Sequence, residues 1–265
     1  MKKPRALVLC GDGINCDGET AWALEAAGFE PARLHTTSFL DNPETLSQIQ
    51  LLVIPGGFSF GDEIASGKIL ALKIKRKMRD ALTAFIGKGG LVIGICNGFQ
   101  VLVQMGLLPF SEPGAPRVVS LTRNAEGRFV NRWVELDVKP SNRSPFFASL
   151  SRIHLPIRHG EGRLAVGNAQ DTNAAAEVSR HAALHYVEDV NGSHEKIAAL
   201  TNTKGNVLGL MPHPEAFVRW SQHPAWASWS RQSAAHGSGL SRHPQFPDGP
   251  PDGLVILKNA RKAVD

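Results

Sequence analysis

Apolar runs of four or five residues, closed off by glycine or proline, recur along the first 110 positions. Residues 6–10, 51–54 and 91–94 have the length and composition of buried strands, and residues 30–34 read as a fourth. Between them the apolar spacing lengthens to three and four. Residues 19–27 read as a helix stopped by Gly28, Asn42 and Pro43 as an N-cap with its first helical residue, and residues 98–105 as a helix opening behind the last strand. Leu70, Ile74, Met78, Leu82 and Phe85 carry the helical spacing through a further segment, which Gly87, Gly89 and Gly90 end. This alternation predicts an α/β fold with a doubly wound, mostly parallel sheet and helices on both faces.

From residue 128 the texture is β-rich. Residues 129–138 and 153–158 read as strands, and 197–200 pairs with 207–211 as a hairpin turned at Lys204, Gly205 and Asn206. These segments are expected to extend or cover the same sheet. Residues 221–253 are rich in His, Pro, Ser, Gly and Trp without periodicity and read as an irregular surface insertion, after which 254–263 closes the chain as a short helix. With no internal repeat, the 265 residues are expected to form one domain.

Composition narrows the class. Hydrophobic residues at 42% and charged ones at 20% suit a folded soluble domain, and no apolar run approaches the roughly 20 residues that span a bilayer. Lys2, Lys3 and Arg5 precede only five apolar residues, too few for an export signal. Cys10, Cys16 and Cys96 are widely spaced, as expected for free thiols in a reducing cytoplasm, where one of them could be chemical. The net charge of +5 (29 − 24) is densest at Lys73, Lys75, Arg76, Lys77 and Arg79. Those bases fall opposite the apolar stripe of their helix and no nucleic-acid motif accompanies them, so the reading is a solvated or partner-docking face and no nucleic acid.

Three patterns approach known motifs and miss. Gly11, Gly13 and Cys16 follow a strand like a dinucleotide fingerprint but put cysteine at the third glycine position. Residues 61–68 resemble a phosphate loop with its glycines too far apart and Ile69 where a hydroxyl should follow. His223, His236 and His243 lack ligand spacing and read as surface histidines.

The strongest chemical signal is Gly94-x-Cys96-x-Gly98, where a strand ends and a helix begins. A sharp elbow needs glycine on both sides of a nucleophile, exposes its side chain and aims the next backbone N–H at a developing oxyanion. A helix N-terminus and a nearby histidine both favour negative charge on the sulfur, whereas a buried structural thiol is the bland alternative. Two pairs, His213 with Glu215 and His159 with Glu161, could supply a base and its orienting carboxylate. Residues i and i+2 of an extended segment point the same way. The loop at Pro55, Gly56 and Gly57 is bare enough for Gly57 N–H to join Asn97 N–H in an oxyanion hole, though an ordinary tight turn fits as well.

Together, Pro55-Gly56-Gly57, the Gly94-x-Cys96-x-Gly98-x-Gln100 elbow and the distal His213-x-Glu215 resemble the class I (triad) glutamine amidotransferases. A narrower likeness is to family members that feed ammonia to an ATP-dependent synthetase of purine biosynthesis. It rests on Asn15-Cys16-Asp17, Pro55 to Asp62, Leu121 to Asn124 with Gly127 to Phe129, His159 to Arg163 and Gly205 to Glu215. Phe60 departs from the usual tyrosine, Ala216 from the usual arginine, and the 221–253 segment is long; none touches the triad.

The resemblance implies a flavodoxin-like fold, Cys96 as nucleophile, His213 as base and Glu215 as its orienter, with Gly57 and Asn97 as oxyanion donors. It implies that Gln100, His159 and Glu161 shape the pocket for L-glutamine. It further implies that this chain carries no cofactor, that ATP and Mg sit on the synthetase partner, and that a small accessory subunit assists assembly. Two alternatives stay in view: another cysteine hydrolase acting on γ-glutamyl peptides, and a binding module with a silent thiol.

Overall fold

The computed structural model describes residues 2–62, 64–110, 117–167, 172–228 and 249–265. Among the described residues, nine strands build one sheet in the order β2-β1-β3-β4-β11-β10-β9-β6-β7. The strands are β1 (Arg5–Cys10), β2 (Glu30–His35), β3 (Leu51–Ile54), β4 (Leu91–Ile95), β6 (Val130–Val138), β7 (Arg152–His159), β9 (Ala182–Tyr186), β10 (Ile197–Thr201) and β11 (Val207–Leu210). The remaining two, β5 (Val119–Thr122) and β8 (Arg163–Val166), pair antiparallel as a separate ribbon.

The sheet divides at β11. From β2 to β11 every neighbour is parallel, and β3, β4 and β11 are buried along their whole length, as strands covered on both faces must be. Beyond β11 the pairs β11–β10, β10–β9, β9–β6 and β6–β7 are all antiparallel. The expected hairpin therefore joins two architectures: β11 pairs with β10 on one edge and with β4 on the other.

Helices α1 (Asp17–Ala27), α2 (Thr36–Asp41), α3 (Lys68–Lys77), α4 (Arg79–Gly87), α5 (Asn97–Met105), α6 (Thr172–Arg180) and α7 (Asp252–Ala263) connect or cover the strands. Right-handed crossovers that move outward from β1 to β2 and inward from β3 to β4 put α1 and α3 on opposite faces. Accordingly, α1 packs with α7 and α3 with α5.

The basic stripe behaves as its periodicity predicts: Leu70, Ala71 and Ile74 are buried while Lys73, Arg76 and Lys77 face solvent. Lys77 pairs with Asp41, and Lys73 lies 4.4 Å from the centre of the Phe60 ring.

Several expectations need correction. The single helix read through Phe85 is two, broken at Met78, whose φ of −117° leaves the helical region although the apolar stripe continues through Leu82 and Phe85. Asn42 and Pro43 open a 3-10 turn (Pro43–Gln48), and the Asn42 amide bonds back to Ser38 O instead of capping it. The short α2 and the elements β5, β8, α6 and β9 had no clear pattern. Most of the expected 221–253 insertion lies outside the described residues, as do His236 and His243. At its edges, 3-10 turn Trp220–Gln222 enters and α7 begins at Asp252. No helix among the described residues is long and apolar enough to cross a membrane.

Candidate active site

In open parallel sheets, loops leaving the carboxyl ends of the strands converge to form the ligand crevice. Here four do so. β1 leads into residues 11–16, β3 into Pro55 to Phe58, β4 into Cys96, and β11 into His213. The Gly11 to Cys16 segment, which resembled a nucleotide loop, instead braces its neighbour. Phe58 N–H donates to Gly13 O at 2.9 Å, while Asn15 and Cys16 N–H both reach Gly56 O.

Cys96 caps the start of α5 with φ 51° and ψ −104°, a conformation that costs an L-residue about 1–3 kcal/mol. The flanking glycines make it possible. A Cβ on Gly98 would lie 1.9 Å from Ile54 O and one on Gly94 2.5 Å from Gly98 O, so no side chain fits on either side of the elbow. The strain turns the thiol into the pocket, where it points to Arg158 O at 3.7 Å.

Next to it stands His213, anchored by its N–H to Pro156 O at 2.9 Å. Its Nδ1 lies 2.6 Å from Glu215 Oε1, and both residues are almost wholly buried. Burial pushes the imidazole pKa down, but the Glu215 carboxylate and the adjacent Cys16 and Cys96 sulfurs outweigh it, leaving His213 well above the usual value. Nε2, facing the sulfurs, has no hydrogen-bond partner of normal geometry among the described residues. Free enzymes often hold such bonds loosely until substrate arrives.

The two candidate histidines thus separate. His159 Nδ1 bonds Asn124 Oδ1 at 3.1 Å, and burial, aided by the charge of His213, lowers its pKa to about 4. It is neutral at physiological pH. Glu161 meets Ser66 Oγ at 2.5 Å and Arg123 at 3.8 Å, not His159.

Asn97 ties the loops together: its Oδ1 accepts from Ser59 N–H at 3.1 Å, and its Nδ2 donates to Gln100 Oε1 at 2.9 Å and Asp62 Oδ1 at 3.2 Å. Gly57 has φ 148°, and a Cβ there would approach Gly13 O to 2.7 Å. Its own N–H takes no part in the bridge to Ile14, which uses the N–H groups of Asn15 and Phe58. Gln100 lines the pocket, but its amide is already engaged, accepting from Asn97 and donating to Glu161 O at 2.6 Å.

All eight predicted residues except Asn97 and Glu215 line or border a single cavity of about 320 Å³, and those two support it from behind. That volume lies at the small end of ligand pockets and suits an amino acid. Exposed Phe58 and Phe129 stand at its walls. A larger groove of about 470 Å³, near Leu46, Phe85 and Val264, has Lys88 as its sole ionisable lining residue and offers no comparable chemistry.

Two of the pocket residues to which the sequence gave no role touch the His213–Glu215 pair. Arg158 Nη2 lies 2.7 Å from Glu19, 3.2 Å from His213 Nδ1 and 3.7 Å from Glu215, so it compensates the buried carboxylate. Cys16 also adjoins His213, its sulfur within 4.8 Å of the ring's ligand atom. Burial pushes its thiol up, against the influence of His213, so it stays protonated at neutral pH. The Asn15-Cys16-Asp17 motif was its one signal; for Arg158 there was none.

A family model described as the CobB/CobQ-like glutamine amidotransferase domain matches residues 3–241. The chain is 38% identical to phosphoribosylformylglycinamidine synthase subunit PurQ of Dehalococcoides mccartyi, over 99% of its own length and 98% of the relative's. Against the subunit of the same name from Thermotoga maritima it is 41% identical, over 82% and 89%. A chain in the structure of PurLQS from Thermotoga maritima is similar at a TM-score of 0.68 and 36% identity, covering 89% of this chain and 99% of that one. With the elbow, the His213–Glu215 pair and their shared pocket, these likenesses lead to one conclusion: this chain belongs to the CobB/CobQ-like glutamine amidotransferase family, among the PurQ subunits of phosphoribosylformylglycinamidine synthase.

Proposed function

We propose that this chain is the glutaminase subunit of phosphoribosylformylglycinamidine synthase, hydrolysing L-glutamine and passing ammonia to a synthetase that converts formylglycinamide ribonucleotide to its amidine. The observation that carries the reading is the buried His213–Glu215 contact of 2.6 Å beside a strained, pocket-facing Cys96. Full-length likeness to the PurQ subunits supports the substrate and the partner.

Cys96 thiolate attacks the side-chain carboxamide carbon, and the N–H groups of Gly57 and Asn97 hold the resulting oxyanion. Protonated His213 gives its Nε2 proton to the departing ammonia as the γ-glutamyl thioester forms. The now neutral ring takes a proton from water, whose hydroxide attacks the thioester, releasing glutamate and restoring the thiolate and imidazolium. Glu215 stabilises the imidazolium throughout. Neutral His159 and the Glu161 carboxylate bound the substrate space, the latter offering a counter-charge to the α-ammonium group. Gln100 holds the Glu161 backbone in place.

Ammonia released into neutral water becomes ammonium and is no longer a nucleophile, so transfer to the synthetase must be internal. The ATP and Mg sites belong to that partner, a small accessory subunit completes the complex, and the assembly works in the cytoplasm. The exposed Phe58 and Phe129 beside the pocket are consistent with a docking partner there.

The test is glutamate release by the wild-type chain and by Cys96→Ser, each with and without purified synthetase. The expected result is glutamate from the wild-type complex and a loss of roughly 10⁴-fold or more in the variant, with ammonia-driven synthesis retained. No glutamate from any wild-type mixture would remove the assignment, and preferential cleavage of γ-glutamyl peptides would favour a related hydrolase.

A further inference from the structure

Hydrolysis of glutamine employs one sulfur, yet two adjoin the same imidazole. Cys16, His213 and Glu215 offer ligand atoms that all lie within 4.8 Å of one another, and the Cys96 sulfur is also beside His213. Gly56 keeps the space between them open. A Cβ there would lie 3.1 Å from Cys16 Sγ, 3.5 Å from Cys96 Cβ and 2.9 Å from His213 Cε1. The mechanism above gives Cys16 no step.

The histidine is presented as a metal ligand would be. Nδ1 is fixed by Glu215, while Nε2, on a residue only 2% exposed, has no hydrogen-bond partner of normal geometry among the described residues. A carboxylate on one ring nitrogen that directs the other towards a cation is the usual outer support of zinc-binding histidines. Thiolate and imidazole are the ligands that Zn²⁺ prefers. Its bonds of about 2.3 Å to sulfur and about 2.0–2.1 Å to nitrogen place tetrahedral ligand atoms roughly 3.5 Å apart, a small movement for Cys16 and His213, whose ligand atoms lie within 4.8 Å, while Cys96, whose Cβ borders the same gap, must turn its sulfur towards them.

We propose that Cys16, Cys96 and His213 form a three-ligand site for Zn²⁺ or another thiophilic divalent cation, which occupies nucleophile and base together and reversibly switches the site off. On binding, each thiol still protonated gives its proton to solvent, as does Nε2 of the imidazolium; water takes the fourth position, and no electrons are exchanged. Arg158 and Glu215 stay outside the cluster and hold the ring. Cation binding needs only this cluster; the inhibition rests on the glutaminase reading.

Cobalt(II) titration of the full-length chain tests the site without turnover. The wild type should take up one equivalent and develop tetrahedral d–d bands with a strong thiolate-to-cobalt charge-transfer band. Cys16→Ser and Cys16→Ala should each halve that charge-transfer intensity. They should also weaken binding by more than the roughly 10–100-fold that loss of an outer partner costs, whereas Cys10→Ser should leave the spectrum unchanged. In the reconstituted complex, Zn²⁺ should suppress glutamate release, and Cys16→Ser, scored against its own metal-free rate, should need at least about tenfold more zinc. Absent thiolate bands in the wild type, or bands indifferent to both Cys16 variants, would overturn the proposal. If glutamate were never released, the cobalt spectrum would still decide the site, so the two readings fail separately.

Discussion

The parallel and antiparallel halves of the sheet contribute differently to the same pocket. The parallel half supplies the groups proposed for bond making, Cys96, His213, Glu215 and Gly57, each within a few residues of a strand's carboxyl end. The antiparallel half supplies a wall: Arg158 and His159 at the end of β7, with Gly160 and Glu161 beyond. Strand ends in a parallel sheet all open on one side, so chemistry accumulates there. An antiparallel ladder opens at both sides and contributes by fixing one loop against the site. The lesson is a division of labour: variants in the first half should chiefly change rate, and those in the second should chiefly change fit and stability.

The largest effect in that comparison belongs to Glu215. Glu215→Gln keeps the shape but removes the charge that overcomes burial and holds His213 protonated. Glutamine-dependent kcat in the complex should fall by roughly 10³–10⁴-fold, with KM little changed. A drop of less than tenfold would show that the parallel half does not act through this pair.

Gly57→Ala comes next. The left-handed φ of 148° and the 2.7 Å approach to Gly13 O leave no room for a methyl group, so the loop and its N–H must shift. Loss of one oxyanion donor typically costs about 10²–10³ in kcat. Steady-state kinetics with glutamine checks it, and an unchanged kcat would move the oxyanion hole elsewhere.

The wall should show its effect in stability instead of rate. His159 has an ordinary value of 6.5 and is lowered to about 4 by burial and the charge of His213. A depressed histidine favours the fold in its neutral form. Its contribution is complete above about pH 6.5 and is lost as the pH falls towards 4. The size is (6.5 − 4) × 1.36, or about 3 kcal/mol. Urea unfolding between pH 7 and pH 4 should therefore show a shallower acid loss in His159→Gln than in wild type. Equal slopes would place the acid sensitivity in other groups.

How much could be read in advance follows the same boundary. The central strands β3, β4 and β11 are continuous apolar runs because both faces are covered, and the elbow glycines are required because a Cβ at either would collide with neighbouring backbone. Such constraints leave plain marks in sequence. β5, β8 and β9 are short and partly exposed or irregularly registered, with shifts between Ile197 and Leu200, so alternation was too weak to find them. Met78 shows a different blind spot: an apolar stripe survives a helix break because burial depends on which face a residue presents, not on unbroken hydrogen bonding. Arg158 was invisible because a strand arginine gives no hint that the ladder places its guanidinium against a buried carboxylate.

Mass spectrometry after treatment with 6-diazo-5-oxonorleucine, a glutamine mimic that alkylates an attacking thiolate, addresses the central claim most directly. Two sulfurs share the pocket, and only Cys96 stands on the elbow. The account predicts a single adduct on Cys96, blocked by excess glutamine, with Cys16 and Cys10 unmodified. An adduct on Cys16, or none on any cysteine of the wild-type complex, would contradict it.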